Sequence, residues 1–286
     1  MSCEGCPSAG NCSKQSQGGC QVQPAEGTHI KHCIAIMSGK GGVGKSTVTV
    51  LLARALQAMG KSVGIMDADI TGPSIPRLMD LNGMRAYGTP DGHIIPVEGE
   101  DGIKIMSLNY LLEDENEPVV WRGPIVSNVV KQFFTDVNWG ELDYLLIDMP
   151  PGTGDVALTI LQDLPVTGVV MVSTPQPMVS MIVTKAIRMC EKIGVSVLGV
   201  VENMAYLDCP HCHERISFYN EDELKAFLDE NKVQLYGLLP NDQLIRDVDG
   251  FHTIDLKNQE NTLAFFKDIA EKLVEDVEKG KEPLQN

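Results

Sequence analysis

The run GKGGVGKS at residues 39 to 46 constrains this chain more than any other feature. Its spacing, G-x-x-x-x-G-K-S, places glycine where backbone N–H groups must curl around an anion with no Cβ in the way. The context suits that role: the apolar run Cys33 to Met37 reads as a buried strand before it, and Ser46 to Met59 reads as a helix closed by Gly60 behind it. A strand, a glycine turn and a helix N-terminus together cradle phosphate, because the first-turn N–H groups and the helix dipole favour negative charge. The expected nucleotide-binding residues are therefore Gly39, Lys40, Gly41, Gly42, Val43, Gly44, Lys45, Ser46 and Thr47. Lys45 is expected to pair with the β- and γ-phosphates of ATP, and the Ser46 hydroxyl to ligate Mg²⁺.

The same alternation continues downstream. Ser62 to Asp67, Tyr144 to Asp148, Gly168 to Ser173, Val195 to Val201 and Gln234 to Leu239 read as strands, apolar on both faces as in a parallel sheet covered on both sides. Met178 to Ile193 reads as a helix stopped by Gly194, and a last helix over about Thr262 to Lys279 lines up Leu263, Phe266, Ile269, Ala270, Leu273 and Val277. The expected fold class is α/β, a doubly wound and mostly parallel sheet with helices on both faces. Residues 84–108, rich in glycine turns, read as a hairpin insertion beside it. Residues 1–27 lack large apolar side chains and read as a flexible Cys-rich tail, 28–280 as the ATPase domain, and 281–286 as a C-terminal tail. A net charge of −16 argues against nucleic acid as a partner, and no apolar run approaches a membrane span or a signal sequence, so the chain reads as cytoplasmic with no membrane partner.

Two acidic stations lie at the carboxyl ends of expected strands, where open α/β sheets bind ligands. Asp69 is the candidate for positioning the attacking water, with Asp67 behind it. Asp148, leaving its strand into Pro150-Pro151-Gly152, is the candidate for holding Mg²⁺ through water. Asn203 closes a later strand and offers a carboxamide to an adenine edge. Of the eight cysteines, Cys33 and Cys190 lie in apolar patterns and read as packing residues. Cys209 and Cys212 form C-P-H-C, while Cys3, Cys6, Cys12 and Cys20 crowd the N-terminus, and both groups read as metal ligands. His211 or His213 beside the C-P-H-C pair leaves tetrahedral zinc open as an alternative to iron and sulfur.

The extra Lys40 resembles the deviant loop of the MinD, ArsA and nitrogenase iron protein class, in which that lysine reaches the nucleotide of the partner subunit. The stretch Trp121 to Asp155 together with DADITGPSIP at 67 to 76 resembles the Mrp/ApbC family of iron-sulfur cluster carrier ATPases. That resemblance implies a homodimer bridging a [4Fe-4S] cluster through Cys209 and Cys212, an adenine contact for Asn203, and apo iron-sulfur proteins as clients. Cys3-x2-Cys6-x5-Cys12 is similar to the N-terminal cluster motif of the eukaryotic cytosolic scaffolds, with Cys20 the local candidate for a fourth ligand. The expected function is ATP-dependent cluster carriage. The alternatives are an ATP-gated electron donor like the nitrogenase iron protein and a positioning ATPase of the MinD or ParA kind.

Overall fold

In the computed structural model, residues 22–114, 121–242 and 256–280 are described, with backbone alone at 177–179 and 256–262. The N-terminal Cys3, Cys6, Cys12 and Cys20 and the tail 281–286 lie outside the described residues.

In chain order the elements are β1 His29–Ser38, α1 Lys45–Ala58, β2 Val63–Asp67, α2 Ile75–Leu78, β3 Tyr87–Gly88, β4 Ile94–Ile95, β5 Val97–Glu98 and β6 Lys104–Met106. They continue with α3 Gly123–Thr135, β7 Glu141–Asp148, α4 Asp155–Asp163, β8 Gly168–Ser173, α5 Pro177–Ile193, β9 Val197–Asp208, β10 Arg215–Ser217, α6 Glu221–Glu230, β11 Leu235–Pro240 and α7 Leu256–Glu278. Among the described residues the main sheet runs β10-β9-β8-β1-β7-β2-β6-β5, with β11 on β9. β1 lies between β7 and β8 and is parallel to both, so the chain moves to one side through β2 and β6, returns through β7, and crosses to the other through β8. That reversal is the switch point at which such sheets bind ligands.

The central strands β2 and β8 and the C-terminal parts of β1 and β7 are buried on both faces, as their apolar runs require. On one side α1 and α7 pack through Leu51, Leu52, Leu56, Phe266, Ile269 and Leu273. On the other, α3, α4 and α5 cover Met37, Ile147 and Met171 with Phe133, Ile160 and Ile187. Each fully buried Leu, Ile or Phe contributes about 1.5–3 kcal/mol. Trp139 is fully buried and its indole N–H donates to the Phe133 carbonyl at 3.0 Å, which satisfies the one polar atom it carries inward. Cys33 and Cys190 are core residues, and burial pushes both thiols up to about 12.

Several boundaries differ from the sequence reading. β9 extends to Asp208 instead of stopping at Val201, because β10 folds back on its second half in an antiparallel hairpin. Within the expected insertion only β3 and β4 pair apart from the main sheet, whereas β6 joins it parallel to β2. Two residues of that strand are buried between layers, a setting no local pattern announces. Residues 22–27, read as tail, touch the domain: the Val22 N–H donates to the Asp163 carbonyl at 2.9 Å and Ala25 is buried. The glycine stops are as expected, with Gly194 at φ 80 closing α5.

Candidate nucleotide and metal site

The loop from Gly39 to Gly44 leaves the buried end of β1 and enters α1. Gly44 has φ 81, and an added Cβ would stand 2.3 Å from Nδ2 of Asn203. Gly39 is excluded from carrying a side chain for a different reason, since its Cβ would meet Ile182 of α5 at 2.8 Å. Gly44→Ala is therefore expected to cost about 2 kcal/mol or more, combining left-handed strain with overpacking. Gly60→Ala, at φ 80 with nothing within 4 Å, should show the backbone cost alone. Urea unfolding of the two variants, and of Gly44→Ala combined with Asn203→Ala, separates the contributions; equal costs at the two glycines would contradict the clash.

Lys45 and Asp148 form the centre. Lys45 Nζ lies 2.7 Å from Asp148 Oδ1, with the two side chains 7% and 0% exposed. Ser46 donates to Asp148 Oδ2 at 2.6 Å, and Thr49 donates to Asp148 Oδ1 at 2.8 Å. One buried carboxylate thus orients the Lys45 ammonium and the Ser46 hydroxyl together. Hard oxygen donors on Ser46 and Asp148 suit a small divalent cation such as Mg²⁺. The sequence reading passed over Thr49, although its place one helical turn beyond Lys45 was the available signal.

Asp67 stands opposite Asp148 in the β2–β7 register and is fully buried. Burial, and then the neighbouring Asp148 charge, push its carboxyl well above the usual range, while Lys45 and the Ser107 hydroxyl pull it down. Ser107 donates to Asp67 Oδ2 at 3.0 Å. It reaches Asp67 from the end of β6, a partner that depends on β2–β6 register and left no mark in the sequence. Asp69 is half-buried, raised by burial and eased by Lys45, with Thr71 donating to it at 3.3 Å. The loop after Asp148 is tied to the phosphate loop's root, because Gly152 N–H donates to the Ser38 carbonyl at 2.9 Å.

Lys40 is exposed at the rim. A cleft of about 280 Å³ opens beside it, bounded by residues 40–43, by 174–176 after β8, and by Met204, Phe218 and Asn241. A larger hollow of about 490 Å³ lies under the insertion against Arg85 and Tyr110 and contains none of the phosphate-loop residues, whereas the smaller cleft is bounded by four of them. Asn203 is 2% exposed, and its amide donates to the Val43 carbonyl at 2.9 Å while accepting from Met204 N–H at 3.0 Å. The contact it makes in this structure is with the phosphate loop.

Cys209 and Cys212 occupy the turn joining β9 to β10. The Cys209 N–H donates to the Glu214 carbonyl at 3.0 Å, and the His213 N–H donates to the Cys209 carbonyl at 2.9 Å. The backbone N–H groups of Cys212 and His211 hold the Cys209 thiol below its ordinary value. Such a turn favours thiolate, the form that binds metal. Among the described residues no group of three His, Cys, Asp or Glu side chains could hold a metal, so neither His211 nor His213 completes a set with the two cysteines. No helix among the described residues is long and apolar enough to cross a membrane.

A family model described as ParA: NUBPL iron-transfer P-loop NTPase matches residues 29–274. An iron-sulfur cluster carrier protein of Methanocaldococcus jannaschii is 42% identical over 288 residues, covering 98% of this chain and 98% of the relative. Another from Clostridium perfringens is 48% identical over 251 residues, covering 84% and 88%. A cytosolic Fe-S cluster assembly factor of Eremothecium gossypii is 43% identical over 228 residues, covering 77% and 81%. Among solved structures, a nucleotide-binding protein of Archaeoglobus fulgidus in complex with ADP, with Co found, superposes at TM-score 0.70 and 41% identity over 83% of this chain and 92% of that one. The cell division ATPase MinD of Pyrococcus furiosus superposes at 0.61 and 21% identity over 86% and 99%, a likeness of fold. With its phosphate loop, paired acidic stations and C-P-H-C turn in place, the chain belongs to the family of NUBPL iron-transfer P-loop NTPases of the ParA type.

Proposed function

We propose that this protein is a cytoplasmic ATPase that carries an iron-sulfur cluster as cargo and delivers it to apo iron-sulfur proteins. The observation that carries the reading is the C-P-H-C turn: two thiols on a hairpin tip, one held toward thiolate, set on a phosphate-loop domain. A [4Fe-4S] cluster takes four cysteines, and a twofold axis through two copies of this turn supplies them. The relatives named as cluster carriers support this choice over zinc.

In the nucleotide site, Lys45 neutralises the β- and γ-phosphates, and the backbone N–H groups of 41–45 surround them. Mg²⁺, held by Ser46 with Asp148 behind it, would supply further charge neutralisation between those phosphates. Asp69 is placed to orient a water, and Asp67 supports it from the buried side. Asn203 braces the loop, leaving its second amide hydrogen and second lone pair for an adenine edge. Lys40 extends from the rim toward a facing subunit, which makes hydrolysis a property of the homodimer.

Cys209→Ala or Cys212→Ala is expected to abolish iron binding and visible absorption after anaerobic reconstitution of a chain whose Cys3, Cys6, Cys12 and Cys20 are serine. The parent of that series should hold about two irons per chain, four per dimer. Stoichiometric zinc instead of iron in that parent, or retained colour in the alanine variants, would overturn the assignment.

A further inference from the structure

The hairpin that carries Cys209 and Cys212 is also a wall of the nucleotide cleft. Its tip bears the thiols, while its root contributes Met204 on β9 and Phe218 just after β10 to the cleft that residues 40–43 bound from the other side. The root is fastened to the phosphate loop at residue 203, where the Asn203 amide holds the Val43 carbonyl at 2.9 Å. Next to it, the Met204 methyl lies 3.9 Å from the position of a Cβ on Gly44. Above the root the two strands are locked together: Phe218 N–H donates to the Ala205 carbonyl at 2.8 Å, and the Arg215 guanidinium lies 3.8 Å from the Tyr206 ring centroid while pairing with Asp208. Met204 itself has φ 55, a left-handed conformation unusual for a side chain of its size, and β9 slips register against β11 between Leu238 and Pro240. A stiff arm thus rises from a strained root.

We propose that Phe218 and Met204 are nucleoside-contact residues, with Phe218 stacking on the base, and that nucleotide in this cleft sets the position of the two thiols directly through the β9–β10 hairpin. An exposed aromatic ring facing a phosphate loop across a narrow cleft offers a flat apolar surface to a purine. From Met204 to Cys209 the arm is about 17 Å long at ~3.3 Å per residue, so a ten-degree tilt at its root displaces the thiols by roughly 3 Å. The route lies within one subunit and is separate from the loop after Asp148, which follows β7 on the far side of β1. For its meaning in cluster delivery this inference rests on the cargo assignment made above; the mechanical link itself stands without it.

The test reads thiol reactivity in cluster-free protein. Alkylation of Cys209 and Cys212 by iodoacetamide is followed by mass spectrometry with no addition, with Mg·ADP, and with inorganic tripolyphosphate, which fills the phosphate loop but has no base. Mg·ADP should change the rates severalfold and tripolyphosphate should not. Phe218→Ala should weaken ADP by about tenfold and remove the rate change even at saturation, and Phe218→Trp should restore both. A tripolyphosphate effect equal to that of ADP, no ADP effect in the unaltered chain, or a persistent ADP effect in Phe218→Ala would each overturn the proposal. If Phe218→Ala does not fold, the comparison of ADP with tripolyphosphate on the unaltered chain still decides. Loss of iron binding with an ADP-dependent alkylation rate intact would refute the cargo assignment and leave this link standing.

Discussion

Lys45→Ala is expected to abolish ATP hydrolysis and also to destabilise the fold by about 3–5 kcal/mol, because it strands the buried Asp148 carboxylate without its cation. The Ser46 and Thr49 hydroxyls remain on that carboxylate and place the cost toward the lower end of the range. The penalty has a pH signature. Burial and the Asp148 charge hold the Asp67 carboxyl up at about 8, and Lys45 is the charge that eases it, so without Lys45 the stability gap from the unaltered chain should widen as pH rises through 8 toward ~9 and narrow below it. Urea unfolding at several pH values measures it, and a gap constant with pH would remove the buried pair as the cause. Lys45→Met combined with Asp148→Asn should recover most of the stability while leaving hydrolysis absent, which separates the structural role from the catalytic one.

Lys40→Ala is expected to behave in the opposite way. The side chain is exposed at the loop rim, so stability should change by less than about 0.5 kcal/mol, yet hydrolysis should fall by ~10³ to 10⁵ if its cation acts across a dimer as an arginine finger does. Mixing decides whether it acts across subunits. A Lys40→Ala chain mixed with an equal amount of the Lys45→Met/Asp148→Asn chain forms heterodimers in which one site has an intact phosphate loop and a facing Lys40. About a quarter of the unaltered activity should return for random pairing into twofold dimers. Phosphate release that stays at the level of the separate variants would rule out a lysine working in trans.

The local features of this site were legible from the sequence, and those set by distant pairing were not. GKGGVGKS could be read because its glycine spacing, its strand and its helix are contiguous, and the Gly60 and Gly194 stops could be read because each ends its own helix. Asp67 and Asp148 were visible as acids at strand ends, but their direct opposition depends on β2 and β7 being neighbours. Ser107 could not be found, since only the pairing of β6 with β2 brings it to Asp67. The extension of β9 past Asn203 was missed for a related reason: Met204, at φ 55, interrupts the strand pattern, and the pairing with β10 that continues it lies beyond a six-residue turn, 209–214. The carboxamide of Asn203 was read toward a base, and its bond to the Val43 carbonyl could not be read, since it joins residues 160 apart.

The central place of β1 also bears on how the protein is made. Asp148, which orients Lys45 and Ser46, lies 99 residues beyond Thr49, and Asn203, which braces Val43, lies 160 residues beyond it. A growing chain therefore displays its phosphate loop long before the groups that shape it exist. At ~5–20 residues per second, synthesis of the segment from the loop to Asn203 takes roughly 8–30 s, and β1 has neither neighbouring strand until β7 is made, well past the middle of that interval. ATP affinity should arise late and abruptly, once β7, β8 and β9 have left the ribosome, and nascent chains arrested before that point should fail to bind nucleotide even though the whole GKGGVGKS motif is already exposed.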